Sequence, residues 1–194
     1  MSLRYALLAL LRVGPMTGYD LQKQFSQSVG HVWHAPDSQI YPELRRLEAD
    51  GLLRAEEQPR GERAKRRLYH VTDAGDAAFR EWIAAPLEYQ RVKDQAHLKA
   101  AYLEAGTDDN ARAFFERHRA QWQGELEQWE RELARIVSLE HPMLQRRLAV
   151  TAAADRERTI AFKRHTYEGL VRRARAEIAW AEEGLRMLDP SHLR

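Results

Sequence analysis

The sequence predicts a mainly α-helical chain in which a small N-terminal domain of helices and a hairpin precedes a longer, wholly helical domain. Apolar residues recur every three to four positions through most of the chain, which is typical of amphipathic helices. Two short segments of strand character flank a turn that contains proline and glycine, and they predict a β-hairpin. A helix must end before Pro86, because proline disrupts helical geometry. We therefore expect two domains, residues 1–86 and residues 87–194.

The composition excludes several classes of function without choosing one. The 194 residues include no cysteine, which excludes thiol nucleophiles, zinc–thiolate sites and disulfides and favours a reducing, cytoplasmic location. The N-terminal apolar run ends at Leu11, so it is too short to span a membrane, and it lacks a signal-peptide cleavage site. The formal net charge is only +2, and residues 1–90 carry 12 basic and 12 acidic side chains. Total charge therefore gives no indication of nucleic-acid binding.

The first two predicted helices are short and are joined by a Gly-Pro turn. Residues 3–13 are apolar on nearly every side, which is typical of a helix buried all round. Thr17 stands where an N-cap is expected, and Gly30 is expected to close the second helix. Leu21 and Phe25 recur at a spacing of four, with Val29 next in the series, and define the inward face of that helix.

A third helix is predicted to begin near Asp37 or Ser38, either of which can serve as an N-cap. Ile40, Leu44 and Leu47 share one face, as residues that contact a core do. Pro42 supports this beginning, because proline is tolerated only near the start of a helix. The residues that point away from the core are polar, aromatic and basic. They are Ser38, Gln39, Tyr41, Pro42, Arg45 and Arg46.

The hairpin that follows is where positive charge gathers. Residues 52–57 and 66–72 are the expected strands, and residues 58–65 form the turn between them. From residue 54 to residue 67 there are six basic and three acidic side chains. Thr72 is then expected to cap a helix that turns Phe79, Trp82 and Ile83 inward and ends at Pro86.

Three helical stretches are predicted in the second half, over residues 92–105, 109–139 and 142–188. The last of them carries apolar residues at alternating spacings of four and three, a heptad pattern typical of a packing seam between helices. We expect this seam to join two copies of the chain. Its members are Tyr167, Val171, Ala174, Ile178, Ala181, Leu185 and Leu188.

Three helices followed by a two-stranded hairpin is the order of a winged helix-turn-helix. In that fold the third helix enters the major groove of DNA and the hairpin, or wing, contacts the backbone or the minor groove. Side chains on the exposed face of the third helix have the donors and acceptors that base edges require. The wing offers cations for phosphates, namely Arg60, Arg63, Lys65 and Arg66.

Four motifs in the right order resemble the PadR-type transcriptional regulators: LRYALL at 3–8, GPMTGYDL at 14–21, SQIYPELRRLE at 38–48 and YHVTDAG at 69–75. The longer helical half is similar to the phenolic-acid-repressor and virulence-activator branch. The resemblance implies a homodimer that binds a pseudopalindromic operator, usually as a repressor, and in some members responds to a small-molecule effector. It places base reading on Ser38, Gln39, Tyr41 and Arg45, and backbone contacts on the basic wing, residues 60–67.

Other interpretations of these residues remain open. Five aromatic residues are candidates for a pocket that binds a small aromatic effector at the junction of the two domains, although large apolar residues at helical spacing more often form a core. They are Trp82, Tyr89, Trp122, Trp129 and Phe162.

The sequence contains no catalytic, cofactor-binding or metal-binding motif, so an enzyme is not expected. His31, His34 and Asp37 have a spacing compatible with metal ligands, but no further ligand cluster accompanies them. The main alternative to a DNA-binding regulator is a helical adaptor whose winged helix binds a protein instead.

Overall fold

The computed structural model describes residues 2–26, 28, 32, 36–60, 64–89 and 93–189. The chain forms two compact units, Met1–Glu88 and Tyr89–Arg194. This division lies two residues from the boundary that the proline at position 86 suggests. Each unit has its own buried core and is described by itself.

The N-terminal unit is a winged helix-turn-helix with a three-stranded sheet. Its elements are α1 (Ser2–Leu11), β1 (Met16–Thr17), α2 (Gly18–Ser26), α3 (Asp37–Ala49), β2 (Leu53–Arg60), β3 (Ala64–Val71) and α4 (Asp73–Ala84). The strands lie in the order β1-β3-β2 and all pairs are antiparallel, with Met16 opposite Tyr69 and Leu53 opposite Val71. The wing strands are longer than the sequence predicts, and the two-residue strand β1 is not among the predicted elements.

The most deeply buried part of this unit's core consists of leucine and isoleucine side chains from the first three helices. Leu7 and Leu8 of α1, Leu21 of α2, and Ile40 and Leu44 of α3 are fully buried. Leu47 of α3 is also fully buried. The inward face predicted for α3 is therefore confirmed, and α3 is held rigidly by its packing.

Side-chain caps fix the beginnings of α2 and α4, as predicted. Thr17 Oγ1 accepts a hydrogen bond from the backbone N–H of Asp20 at 3.2 Å and donates to Asp20 Oδ2 at 2.7 Å. Thr72 Oγ1 accepts from the N–H of Gly75 at 3.1 Å. Helix α3 differs, because Pro36 occupies the cap position and Asp37 is already helical.

Two side chains of α4 do not face the core as expected. Phe79 is buried, but Trp82 is 42% exposed and Ile83 is 63% exposed. The ring of Trp82 stacks on Tyr5 with centroids 4.9 Å apart. The end of α4 therefore presents apolar surface, and only its first turns enter the core.

The second unit is helical throughout its described part. It contains α5 (Gln95–Ala100), a 3-10 turn (Leu103–Ala105), α6 (Asp108–Val137), α7 (Pro142–Ala149), a second 3-10 turn (Ala153–Asp155) and α8 (Arg156–Met187). The expected helix over residues 142–188 is thus broken between α7 and α8. Thr151 Oγ1 donates to the carbonyl of Arg147 at 2.7 Å, a local bond that competes with helix continuation.

Helices α6 and α8 pack as an antiparallel pair, and residues of the expected dimer seam take part in this packing within one chain, so the seam between two copies stays a prediction. Tyr167, Val171, Ala174 and Ala181 are buried inside the chain, and the first three share a core with Trp129 and others of α6 and α7. Ile178, Leu185 and Leu188 are half-buried. The heptad pattern of α8 therefore forms the core of a single chain, because α6 supplies the complementary apolar face.

A polar cluster is enclosed beside this core. Glu132 Oε2 lies 3.6 Å from His141 Nε2, and His141 Nδ1 accepts the backbone N–H of Leu144 at 3.3 Å. Burial lowers the pKa of His141, although Glu132 opposes the shift. Burial, together with Glu132, raises the pKa of Tyr167 to about 12. Both rings are therefore held in their neutral forms at neutral pH.

Among the helices that the structure describes, none is long and apolar enough to cross a membrane.

Candidate nucleic-acid interface

Helix α3 presents a continuous exposed face opposite its buried one. Ser38, Gln39, Tyr41, Pro42, Arg45 and Arg46 are all exposed. Pro42 is the sixth residue of the helix and lies in its second turn. Since Ile40, Leu44 and Leu47 are fully buried, the exposed side chains project from a fixed base.

This face borders a cleft of about 560 Å³ between the beginning of α2, the middle of α3 and strand β3. The cleft combines aromatic rings with cations. Its lining residues are Thr17, Gly18, Tyr19, Asp20, Tyr41, Arg45, Arg66, Arg67 and Tyr69. Aromatic and arginine side chains together suit contacts with the bases and phosphates of a nucleic acid.

Tyr41 is the aromatic residue of α3 that enters the cleft. It remains 40% exposed, and one edge of its ring lies against Gly18 at the beginning of α2. Tyr19, the next residue along α2, is 68% exposed at the same cleft. The cleft therefore has two partly exposed rings, one from each helix of the helix-turn-helix.

The arginines of this surface differ in how they are held. Arg46 pairs with Glu43 at 3.5 Å within α3, and Arg67 of the wing donates to Glu48 of α3 at 2.6 Å. Within the described part of the chain, Arg45 has no ion-pair partner. With respect to these residues, its guanidinium donors are therefore available to a ligand.

Three further contacts hold α3 and the wing in place. Arg4 of α1 donates to Glu43 of α3 at 3.2 Å and also pairs with Asp50, so α3 is tied to α1 at both of these acids. Arg66 donates to Gln58 across the hairpin at 3.2 Å. The candidate interface consequently carries its cations on a packed helix and a paired hairpin, an arrangement that suits a specific binding site.

The tip of the wing is described only in part. Arg63 lies outside the described residues, and Arg60 and Lys65 belong to the described strands without a description of their side chains. Arg60 pairs with Ala64 in the ladder, so β2 and β3 continue to the tip. The phosphate-binding role of these three residues stays a prediction, as does that of Arg66.

Sequence reasoning missed part of the cleft. Tyr19, Arg67 and Tyr69 line it, yet the sequence pattern singles out none of them as an individual site residue. Tyr19 carries one usable signal, because it lies two positions before the inward-facing Leu21 and so points about 200° away from it around the helix. Arg67 and Tyr69 reach the cleft through the pairing of β3 with β1, which has no local signature.

The five aromatic residues predicted for an effector pocket lie in different settings. Trp82 stacks on Tyr5, and Tyr89 is 91% exposed. Trp122 and buried Trp129 form an edge-to-face pair 6.2 Å apart, whereas Phe162 is exposed beneath the guanidinium of Arg158.

A groove of about 570 Å³ between α6 and α8 contains none of these five aromatic residues. The effector pocket therefore stays a prediction. Of the residues considered for a metal, His31 and His34 lie outside the described part of the chain. The side chain of Asp37 is not described.

Comparison with known proteins supports the interpretation of this surface. Residues 7–81, which span α1 to α4, match the model of the transcriptional regulator PadR-like family. The negative transcriptional regulator PadR of Bacillus subtilis is 27% identical to this chain over 195 residues, covering 96% of this chain and 97% of that protein. The similarity therefore extends through both units.

Solved structures of the B. subtilis protein share the fold. Its crystal structure in complex with operator DNA matches with a TM-score of 0.74 at 26% identity, covering 97% of this chain and 100% of the other. Its complex with p-coumaric acid matches with a TM-score of 0.71 at 26% identity, covering 97% of this chain and 99% of the other. Residues 7–81 of this chain thus match a PadR-like transcriptional regulator domain on the winged helix, and the chain shares the fold of B. subtilis PadR over nearly its whole length.

Proposed function

We propose that this protein is a homodimeric, sequence-specific repressor that binds a pseudopalindromic operator and is released by a small aromatic effector. The observation that carries the proposal is the exposed face of α3, where Tyr41 and Arg45 project from a fully buried base beside a cation-lined cleft. The similar B. subtilis protein is a negative regulator that was solved with operator DNA. Such a protein acts in the cytoplasm, where its DNA is.

The contacts divide into those that recognise sequence and those that hold the backbone. Arginine can donate two hydrogen bonds to guanine, and glutamine can pair with adenine, so Arg45 and Gln39 suit base edges in the major groove. Ser38 and Tyr41 add a hydroxyl donor each, and Pro42 adds apolar contact. Arg46 adds a further cation beside Arg45 on the exposed face of α3. The wing contributes charge to phosphates through Arg60, Arg63, Lys65 and Arg66.

The homodimer follows from what a palindromic operator requires. A two-fold protein places two recognition helices about one DNA turn, or a small multiple of it, apart. Because Tyr167, Val171, Ala174 and Ala181 of the predicted seam are buried within one chain, we propose that the two copies meet through other surfaces as well. The helical unit has exposed apolar side chains that a second copy can cover. They include Leu98, Tyr102, Val137, Val150 and Phe162.

The effector is proposed to be a small aromatic carboxylic acid. The similar B. subtilis protein was solved in complex with p-coumaric acid, and the similarity spans the helical unit as well as the winged helix. An effector can release DNA only if it binds the DNA-free conformation more tightly than the DNA-bound one. The proposed effector therefore lowers operator affinity by favouring the DNA-free conformation.

A gel-shift titration with the DNA upstream of the protein's own gene tests the proposal. We expect a retarded complex that persists in excess unrelated DNA and disappears when p-coumaric acid is added. Sedimentation equilibrium of the free protein should give twice the chain mass of 22.6 kDa. Equal binding to the upstream and unrelated duplexes would contradict sequence-specific regulation and would favour a protein-binding adaptor.

A further inference from the structure

The contact between Tyr41 and Gly18 is close enough to depend on the absence of a side chain at position 18. A Cβ atom built on Gly18 would lie 2.6 Å from Cε1 of Tyr41, 3.3 Å from Cδ1 and 3.4 Å from Cζ. Carbon atoms in contact normally lie about 3.5 to 4.0 Å apart. An alanine at position 18 would therefore push the ring about 1 Å away from α2.

The backbone of α2 does not itself demand glycine at this position. Positive φ among the described glycines is found at Gly14 and Gly51, whereas Gly18 is the first residue of a regular helix. Alanine is a better helix former than glycine. A requirement for glycine at position 18 must therefore come from the neighbouring ring and not from the local conformation.

The atom that would have to move belongs to a flexible side chain. Tyr41 is 40% exposed on the cleft side, so its ring can rotate outward without unfolding the unit. Gly75 is a contrasting case, because a Cβ there would lie 2.2 Å from the backbone oxygen of Leu52. A side chain at position 18 should consequently displace Tyr41 and leave the fold intact.

We propose that Gly18 is a positioning residue for DNA recognition: its missing side chain lets the Tyr41 ring seat against the first turn of α2, which aims the tyrosine at one base step. The proposal rests on the proposed function, because it assumes that Tyr41 contacts DNA. A recognition side chain must be held within about 0.5 Å to keep its hydrogen bond and packing. A displacement of about 1 Å therefore removes the contact that distinguishes one sequence from another.

A double-mutant cycle tests this role directly. The variants are Gly18→Ala, Tyr41→Ala and the two combined, and the matched control is Gly124→Ala. Gly124 is a helical glycine of α6 with no neighbouring atom within 4 Å of the built Cβ. Fluorescence anisotropy gives the affinity for the upstream duplex and for a scrambled duplex of equal composition. Thermal unfolding of each variant reports the stability.

We expect Gly18→Ala to weaken binding to the upstream duplex about 5- to 100-fold, the range that one specific contact spans. Binding to the scrambled duplex should change less than about twofold, and the melting temperature should equal or exceed that of the wild type. In the Tyr41→Ala background, Gly18→Ala should have no further effect, because the ring it displaces is gone. Gly124→Ala should bind as the wild type does.

Three results would overturn the proposal. One is unchanged binding by Gly18→Ala, and another is an equal loss from Gly18→Ala with and without Tyr41. The third is a Gly18→Ala protein that fails to fold and is not restored by Tyr41→Ala, since the ring would then not be the cause. If the wild type itself does not prefer the upstream duplex, the proposed function fails, and that outcome is recorded before any variant is compared.

Discussion

Buried His141 shows how a single residue links the fold of the helical unit to pH. It caps α7 through Nδ1, which accepts the N–H of Leu144, while Nε2 faces Glu132. Arg135 of α6 and Lys163 of α8 lower its pKa further, after the larger effect of burial. Folding therefore favours the neutral imidazole over the charged one.

We predict that the protein loses stability in mild acid partly through His141. A free imidazole has a pKa of about 6.5, so below that pH the unfolded chain binds a proton that the folded chain resists. The free energy of unfolding contributed by this group is thus present above about pH 6.5 and is lost as the pH falls through the lower pKa of the folded state. Urea unfolding at about pH 7.5 and about pH 5.5 measures the loss.

His141→Asn should show a smaller loss between these pH values than the wild type, because asparagine keeps an oxygen acceptor for the helix cap and does not titrate. The matched control is His165→Asn, which changes an exposed histidine of α8 and should lose as much as the wild type. A loss equal in His141→Asn and the wild type would contradict the assignment.

Among the elements, the packing of α6 on α8 includes one very close approach. A Cβ on Gly184 of α8 would lie 2.4 Å from the ring of Phe115 of α6. Phe115 is buried, and Phe114 and Trp180 contact it edge to face, so its ring has little room to move. Here, unlike at Gly18, an added methyl group must strain the core.

We predict that Gly184→Ala destabilises the protein by about 1 to 3 kcal/mol, the cost typical of overpacking a core. Gly169→Ala serves as the control, because Gly169 lies on the same helix and its built Cβ meets nothing within 4 Å. Urea unfolding at neutral pH compares the two. If both variants were as stable as the wild type, the helix pair would be looser than the structure indicates.

The wing supplies a second prediction at this scale. Arg63→Ala combined with Lys65→Ala should weaken binding to every duplex and reduce the slope of log affinity against log salt by about 0.9 for each phosphate that is no longer neutralised. The control Arg131→Ala with Arg164→Ala removes the same charge from exposed residues of the helical unit. A salt slope unchanged by the wing substitutions would contradict their phosphate-binding role.

The elements also show where sequence reasoning succeeds and where it stops. Apolar periodicity predicts the buried face of α3 because Ile40, Leu44 and Leu47 are set by local helix geometry. The same reasoning locates the seam of α8 but cannot identify its partner, since a heptad pattern describes a face and not what covers it. Strand β1 is two residues long and has no period, and its pairing with β3 arises only in the tertiary structure.

For the whole molecule, the proposed function assigns a separate task to each unit. The winged helix carries the exposed face of α3, and the helical unit supplies the proposed dimer and effector sites. Net charge does not predict this division, because the N-terminal 90 residues are formally neutral. The local placement of charge is more informative than the total. Arg45 lacks an ion-pair partner among the described residues, whereas Arg46 and Arg67 pair with acidic residues of α3.

Recognition of the operator by α3 can be tested through the affinity of a Tyr41→Ala, Arg45→Ala double variant for the upstream duplex. Fluorescence anisotropy should show a loss of about 1 to 3 kcal/mol for each specific interaction removed, with a much smaller loss on scrambled DNA. Because both side chains are exposed, we expect the thermal unfolding of the double variant to match that of the wild type. Such a match would exclude a folding defect as the cause of weaker binding. A folded double variant that binds the upstream duplex as tightly as the wild type would contradict the account.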